Sequence, residues 1–292
     1  MCLCGEYKDV QTENLNQPNT NLSEGPQPGV VLDRSRVRPL LVAGAAAFFT
    51  LGLTIVWPGS LLEKLHLITG GVCAQRPAHS YYMDGQMLPV EARMVGIFSG
   101  FALTWFFLWF IGRGRAGRLP RIPLLITLGS MVAVMALDGL NATFYDLGWP
   151  ILYQPQNWLR LLTGTLSGIG LAGLIQPIFN YTAWKLPWRM ASFRNWGELG
   201  AILSVGGLLM LAVFSDWGIL FWPIALLTVG GGLWMLTVLN LLIYLVFARR
   251  EGQACDSYDL LTTASIVFLV SLGEFAATAA LRFSLIGPGI HL

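Results

Sequence analysis

The chain has 292 residues, of which 54% are hydrophobic and only 12% charged, a balance that excludes a water-soluble globule and describes a protein built for lipid. Eighteen basic and sixteen acidic side chains leave a formal charge of +2 without a long basic run, so nothing favours nucleic acid. Four cysteines and no glycine at every third position exclude disulfide-rich secreted and collagen-like classes.

Residues 1–34 are rich in Glu, Asn, Gln, Pro, Ser and Gly. With no apolar run to offset ordering entropy, they read as a disordered cytoplasmic tail. The tail lacks the apolar h-region of a signal peptide. Cys2 and Cys4 are possible acylation sites only, with neither a myristoylation pattern nor a polybasic cluster beside them.

The remainder, 35–292, reads as one all-α transmembrane bundle. A spanning helix needs about 20 predominantly apolar residues, and seven stretches qualify, at about 39–57, 94–112, 122–139, 159–181, 198–215, 219–247 and 260–281. Their apolar character is continuous instead of alternating, which excludes a strand barrel. With the tail inside, thirteen of the eighteen basic residues fall on the cytoplasmic side, and Lys64, Arg76, Arg93, Arg160 and Arg282 fall outside. The positive-inside rule therefore predicts a cytoplasmic N-terminus and an external C-terminus, which seven spans satisfy. The tightest connection is Ser215 to Gly218 between spans five and six, where a hairpin and a re-entrant stretch are both compatible with the sequence.

Small residues predict how spans pack. Gly96 and Gly100 repeat at four-residue spacing, as do Gly164, Gly168 and Ala172, letting helices approach closely. Gly230, Gly231 and Gly232 read as a bend or close contact, with a ligand-binding break as the alternative. Trp57, Trp149, Trp158, Trp184, Trp188, Trp196 and Trp217 fall near span ends, as interfacial belts require.

The external loop, 58–93, is too long to be a plain connection. Leu61, Leu62, Leu65, His66 and Ile68 give residues 60–69 an amphipathic helical spacing, suited to lying along the outer interface. Beyond them run Cys73, Gln75, Pro77, Ser80 and Gly85, then Pro89, Val90, Ala92, Arg93, Gly96 and Ile97. Asp138-Gly139 and Asn157, Arg160, Thr163 and Gly164 follow downstream. In this pattern, over about 66–175, the chain resembles a family of prokaryotic integral membrane proteins known as domain of unknown function 2085. The resemblance implies a multi-pass protein of a prokaryotic cell membrane. It also implies Cys-His-Gln and Cys-Ala-Arg-Cys at two places where this chain carries Ala74, Glu91 and Met94. Of that soft ligand set only Cys73 remains, with His79 and Glu91 as a thin substitute, and no metal is expected. No Cys-x-x-Cys occurs, and the topology leaves Cys73 alone outside, so no cofactor is assigned and Cys73 reads as a packed thiol.

Charged groups near span ends form the candidate site: Cys73, Gln75, Arg76, His79, Ser80, Glu91, Arg93, Asp138, Asn157 and Arg160. Arg93 with Asp138, which would close the third span, and Glu91 with Arg160 are the expected ion pairs. The cluster reads first as a polar clamp fixing helix register, and otherwise as a small pocket for an anion, a lipid head group or a pigment substituent. Glu274 falls near the middle of the seventh span, where a carboxyl needs a hydrogen-bond partner. Glu198 and Asp216 make no acidic chain with it, so a transport pathway is not traced. Hydrolase, zinc-protease and phosphate-loop motifs are missing, and the histidines are His66, His79 and His291. No catalytic residue is assigned. The leading expectation is a non-enzymatic subunit or stabilising component that binds other membrane-protein subunits. The alternative is an enzyme or carrier for a lipid-linked or amphipathic substrate at the outer face.

Overall fold

A computed structural model of the chain describes residues 34–286. The expected tail up to residue 33, with Cys2 and Cys4, and the terminal His291 lie outside the described residues. Among the described residues, seven helices are long and apolar enough to cross a membrane. They are α1 (Arg34–Val56), α3 (Ala92–Leu108, continued by a π-helical turn, Trp109–Arg113), α4 (Ile122–Asp146), α5 (Asn157–Ala183), α6 (Trp196–Phe214), α7 (Gly218–Phe247) and α8 (Ser257–Ile286). The connection from Ser215 to Trp217 is a hairpin between two full-length helices, turned by a left-handed Asp216 at φ 53°.

The expected third span is too short. α4 continues to Asp146, so Asp138 lies two turns inside the helix instead of closing it. The added turns are polar enough to fall below a hydropathy limit, yet local chemistry holds them. Gly148 (φ 70°) takes the left-handed position after the helix, Trp149 N–H donates to Phe144 O at 2.9 Å, and Gly148 N–H donates to Tyr145 O at 3.1 Å. This is the paired hydrogen bonding of a Schellman cap. The rings of Phe144 and Trp149, 5.4 Å apart, close it.

The glycine spacing is used for backbone contact. A Cβ on Gly164 would strike the carbonyl of Arg93, one on Gly168 that of Ile97, one on Gly96 that of Leu161, and one on Gly100 that of Thr165. α3 and α5 therefore meet backbone to backbone. Gly231 meets Phe98 O in the same way, bringing α7 onto α3, and α7 runs unbroken through its three glycines. Close contact with Phe98, and not a ligand-binding break, explains Gly231 and Gly232, whereas a Cβ on Gly230 would meet nothing within 4 Å.

The 58–93 loop forms an ordered cap over one end of the bundle. It begins with α2 (Leu61–Thr69), started by a capping box between Ser60 and Glu63. A 3-10 turn, Pro77–His79, follows, and then a two-stranded hairpin, β1 (Tyr82–Met83) and β2 (Gln86–Met87). Asp84 and Gly85 both have positive φ, 49° and 72°, as a two-residue type I′ turn requires. The opposite end carries a short parallel pair, β3 (Ala116–Arg118) with β4 (Trp188–Ala191). There Asn180 Nδ2 donates to Gly114 O and Ala116 O, and Arg113 pairs with Glu198 at 3.0 Å.

The seam makes a direct prediction. Gly164→Leu should separate α3 from α5 and lower stability by about 1–3 kcal/mol or more, the usual cost of overpacking. Gly200→Ala, where an added Cβ meets nothing within 4 Å, should leave stability unchanged or raise it. Thermal unfolding of the two purified variants in one detergent compares them.

Candidate functional site at the cap end

Every other span end on this side is fastened to the cap. Lys64 Nζ donates to Thr54 O of α1 at 2.7 Å, and Asn157 Nδ2 of α5 donates to Ala78 O at 2.9 Å. Asp84 N–H donates to Asp216 Oδ1 at the α6–α7 hairpin at 2.8 Å. Arg282 of α8 donates to three cap carbonyls, those of Gly70, Cys73 and Ala74, at 2.6–2.8 Å. Arg76 Nη1 reaches Asp146 Oδ2, the last residue of α4, at 2.6 Å.

Asp138 stands at the centre of the cluster, 2% exposed. Its Oδ2 accepts from Arg93 Nη2 at 2.7 Å and Thr163 Oγ1 at 3.2 Å, and its Oδ1 accepts from Tyr153 Oη at 2.6 Å. The expected Arg93–Asp138 pair is thus present and joins α3, α4 and α5. Burial pushes the Tyr153 phenol up to about 12, with the hydrogen bond to Asp138 adding to the effect. Thr163 belongs to the family pattern but not to the expected ion pairs, and Tyr153, a neutral loop residue, carries no charge that would mark it as a partner for Asp138. Neighbouring Asn141 accepts from Leu152 N–H and donates to Tyr153 O, which brings Tyr153 back over α4.

The expected Glu91–Arg160 pair is not formed. Glu91 Oε1 accepts from the Arg76 backbone N–H at 3.1 Å and from Arg76 Nε at 3.3 Å, while Glu91 Oε2 lies 3.7 Å from His79 Nδ1. A left-handed Gln75 (φ 55°) and the Pro77–His79 turn fold the loop back over the start of α3, so Arg76 and His79 reach Glu91 first. Arg160 bonds instead to Asn157 Oδ1, at 2.9 Å.

The remaining cap residues fix its shape. Gln75 Nε2 donates to His66 O, Thr69 Oγ1 and Pro89 O at 2.7–3.0 Å. Ser80 Oγ closes the 3-10 turn on Arg76 O at 3.0 Å. Cys73 is buried, and its Sγ accepts the Glu91 N–H at 3.2 Å. Burial pushes this thiol up, away from the thiolate needed for nucleophilic or metal chemistry. Among the described residues, no three His, Cys, Asp or Glu side chains gather to hold a metal ion. Glu274 lies far from this cluster, on α8 within its span, where Asn240 Nδ2 of α7 donates to it at 2.7 Å and to Ser271 Oγ at 3.0 Å.

This geometry lies within the part of the chain that matches a known family. Residues 73–174 match a family described as predicted membrane protein, DUF2085. The match takes in the cap from Cys73 onward, α3, α4 and α5 as far as Leu174. No curated protein and no solved structure matches the chain.

The clamp predicts a graded series. Asp138→Asn keeps the shape but strands the Arg93 charge, and should cost about 3 kcal/mol. Tyr153→Phe removes one hydrogen bond and should cost about 1–2 kcal/mol; denaturant titration of the purified protein measures both.

The cap histidines predict a pH response. Burial holds His66 below the ordinary imidazole value of 6.5, and burial, followed by the Arg160 and Arg76 charges, does the same to His79. The opened cap takes up protons first as pH falls below 6.5, so cap stability is full above that value and declines toward the lower folded values. Amide protection in residues 60–90, taken relative to the intrinsic exchange rate at each pH, should fall as pH drops below about 6.5, and His66→Gln should reduce the response.

Proposed function

We propose that this multi-pass membrane protein is a non-enzymatic subunit of a membrane assembly in a prokaryotic cell membrane, held to a partner through the α7–α8 face. One observation carries the reading. Glu274 is exposed on the flank of the bundle, about 18 Å along α8 from its end at 1.5 Å per residue. It lies in an open groove of about 440 Å³ lined by Asn240, Tyr244, Arg250, Thr262, Thr263 and Glu274, among others. Facing hydrocarbon, a carboxyl with one amide partner is costly, by about 2.5–3.5 kcal/mol on insertion scales for acidic residues. A partner helix that presents a hydrogen-bond donor at this level relieves that cost, and such polar contacts join helices in bilayers. The cap end supports a structural role too, since Glu91 of the cap and Asp138 and Asp146 of α4 are all engaged in ion pairs with arginines.

In this reading the cap faces outward. The excess of basic residues at the opposite end, among them Arg113, Arg115, Arg118 and Arg121, supports that orientation. Cys73 is too buried to report it, whereas Tyr82 on the hairpin is 46% exposed. In intact cells Tyr82→Cys should gain labelling by an impermeant thiol reagent over the unsubstituted chain; labelling only after lysis would reverse the orientation.

Co-purification in mild detergent with crosslinking tests the assembly. A partner should be recovered with the native chain and lost with Glu274→Leu, while that variant stays as thermally stable alone. A native chain that runs alone after crosslinking, or a partner indifferent to Glu274→Leu, would sink the proposal.

A further inference from the structure

Three arginines and three carboxylates meet at the cap end, but they do not pair one to one. Arg76 takes Glu91 and Asp146, and Arg93 takes Asp138. Arg160 is left over. It is 5% exposed, its one side-chain hydrogen bond among the described residues runs from Nη1 to Asn157 Oδ1, and it has no carboxylate within 4.0 Å. A cation this buried with no carboxylate in contact is an expensive arrangement. A guanidinium offers five N–H donors in a fixed fork, and one bond leaves most of them to spare.

The fold holds this cation in place. Arg160 lies one turn before Gly164 on α5, and Gly164 rests against the Arg93 backbone, so the seam brings both arginines to the same corner. Arg93 Nε is buried there without a partner. Arg160 also folds back over the first turn of α5, whose N-cap, Gln156, makes no side-chain capping bond. The amides of that turn and the helix dipole favour negative charge.

We propose that Arg160, with Arg93 Nε and the uncapped first turn of α5, binds a phosphate oxyanion at the cap end. Arg160 supplies a two-pronged donor, Asn157 orients it, and Arg93 contributes its remaining N–H while keeping Asp138. The phosphate belongs either to a phospholipid head group, since Trp158 beside the site is an exposed interfacial ring, or to a free anion in the surrounding water.

The test uses the full-length protein, delipidated in a neutral detergent. Inorganic phosphate and phosphatidylglycerol are added separately, with phosphatidylcholine and chloride as controls, and binding is read by native mass spectrometry and by thermal shift. Binding of phosphatidylglycerol without inorganic phosphate supports a lipid source, and saturable binding of inorganic phosphate supports a free anion. In either case Arg160→Gln should weaken binding by about tenfold or more, Arg160→Lys should fall between, and Arg118→Gln at the opposite end should match the native chain. If Arg160→Gln fails to fold, the thermal shift of the native chain and its reduction in Arg160→Lys decide. No binding of either probe by the native chain, or equal binding by native and Arg160→Gln proteins, would overturn the site.

Discussion

Everything at the cap end depends on the backbone-to-backbone seam of α3 and α5. Gly96 and Gly100 on one helix and Gly164 and Gly168 on the other leave no room for a Cβ between them. In a bilayer, where lipid is as apolar as leucine, such close packing is a main source of helix association. The seam also sets the chemistry. It fixes Arg93 at the start of α3 beside the first turns of α5, so Thr163 and Arg93 converge on the same Asp138 carboxylate. Shifting either helix by one turn, about 5.4 Å, would part all three.

The sequence made some of this legible and hid the rest for physical reasons. Composition and run length report transfer energy directly, so seven spans could be read, and the four-residue glycine spacing reported the seam. Arg93 and Asp138 could be paired because both are charges that must find partners near the same membrane depth. The Glu91–Arg160 expectation failed because the decisive geometry lies in irregular backbone. A left-handed Gln75 and a 3-10 turn have no periodicity, yet they deliver Arg76 and His79 to Glu91. The hairpin after them carried a readable signal, Asp84-Gly85, between residues able to form short strands. Arg282 could not have been foreseen as a cap residue, since its acceptors are carbonyls some two hundred positions earlier.

Hydropathy also misjudged where α4 ends, and the error has a consequence for the site. A span that stopped near residue 139 would leave Asp138 at a solvated helix end, where an ion pair is worth little. With two further turns held by Asn141 and the Gly148 cap, Asp138 is enclosed by Arg93, Tyr153 and Thr163. Enclosure turns the same pair into a constraint, because loss of either partner strands a charge away from water. The polar residues that looked like the close of a span are what make its interior aspartate structural.

The two unbalanced groups differ in kind and in place, which separates what each can mean. Glu274 is an acid on the open flank, bonded to one amide, so another helix can satisfy it without any change in the bundle. Arg160 is a cation inside the cluster, enclosed by the cap and the seam and bonded through its side chain to Asn157 alone among the described residues. The family match, ending at residue 174, contains Arg160, Arg93 and Asp138 and stops short of Asn240 and Glu274. Within the matched segment the seam brings two arginines, Arg93 and Arg160, toward one aspartate, which Arg93 takes. Glu91 was the available acid, and the fold of the loop commits it to Arg76 and His79.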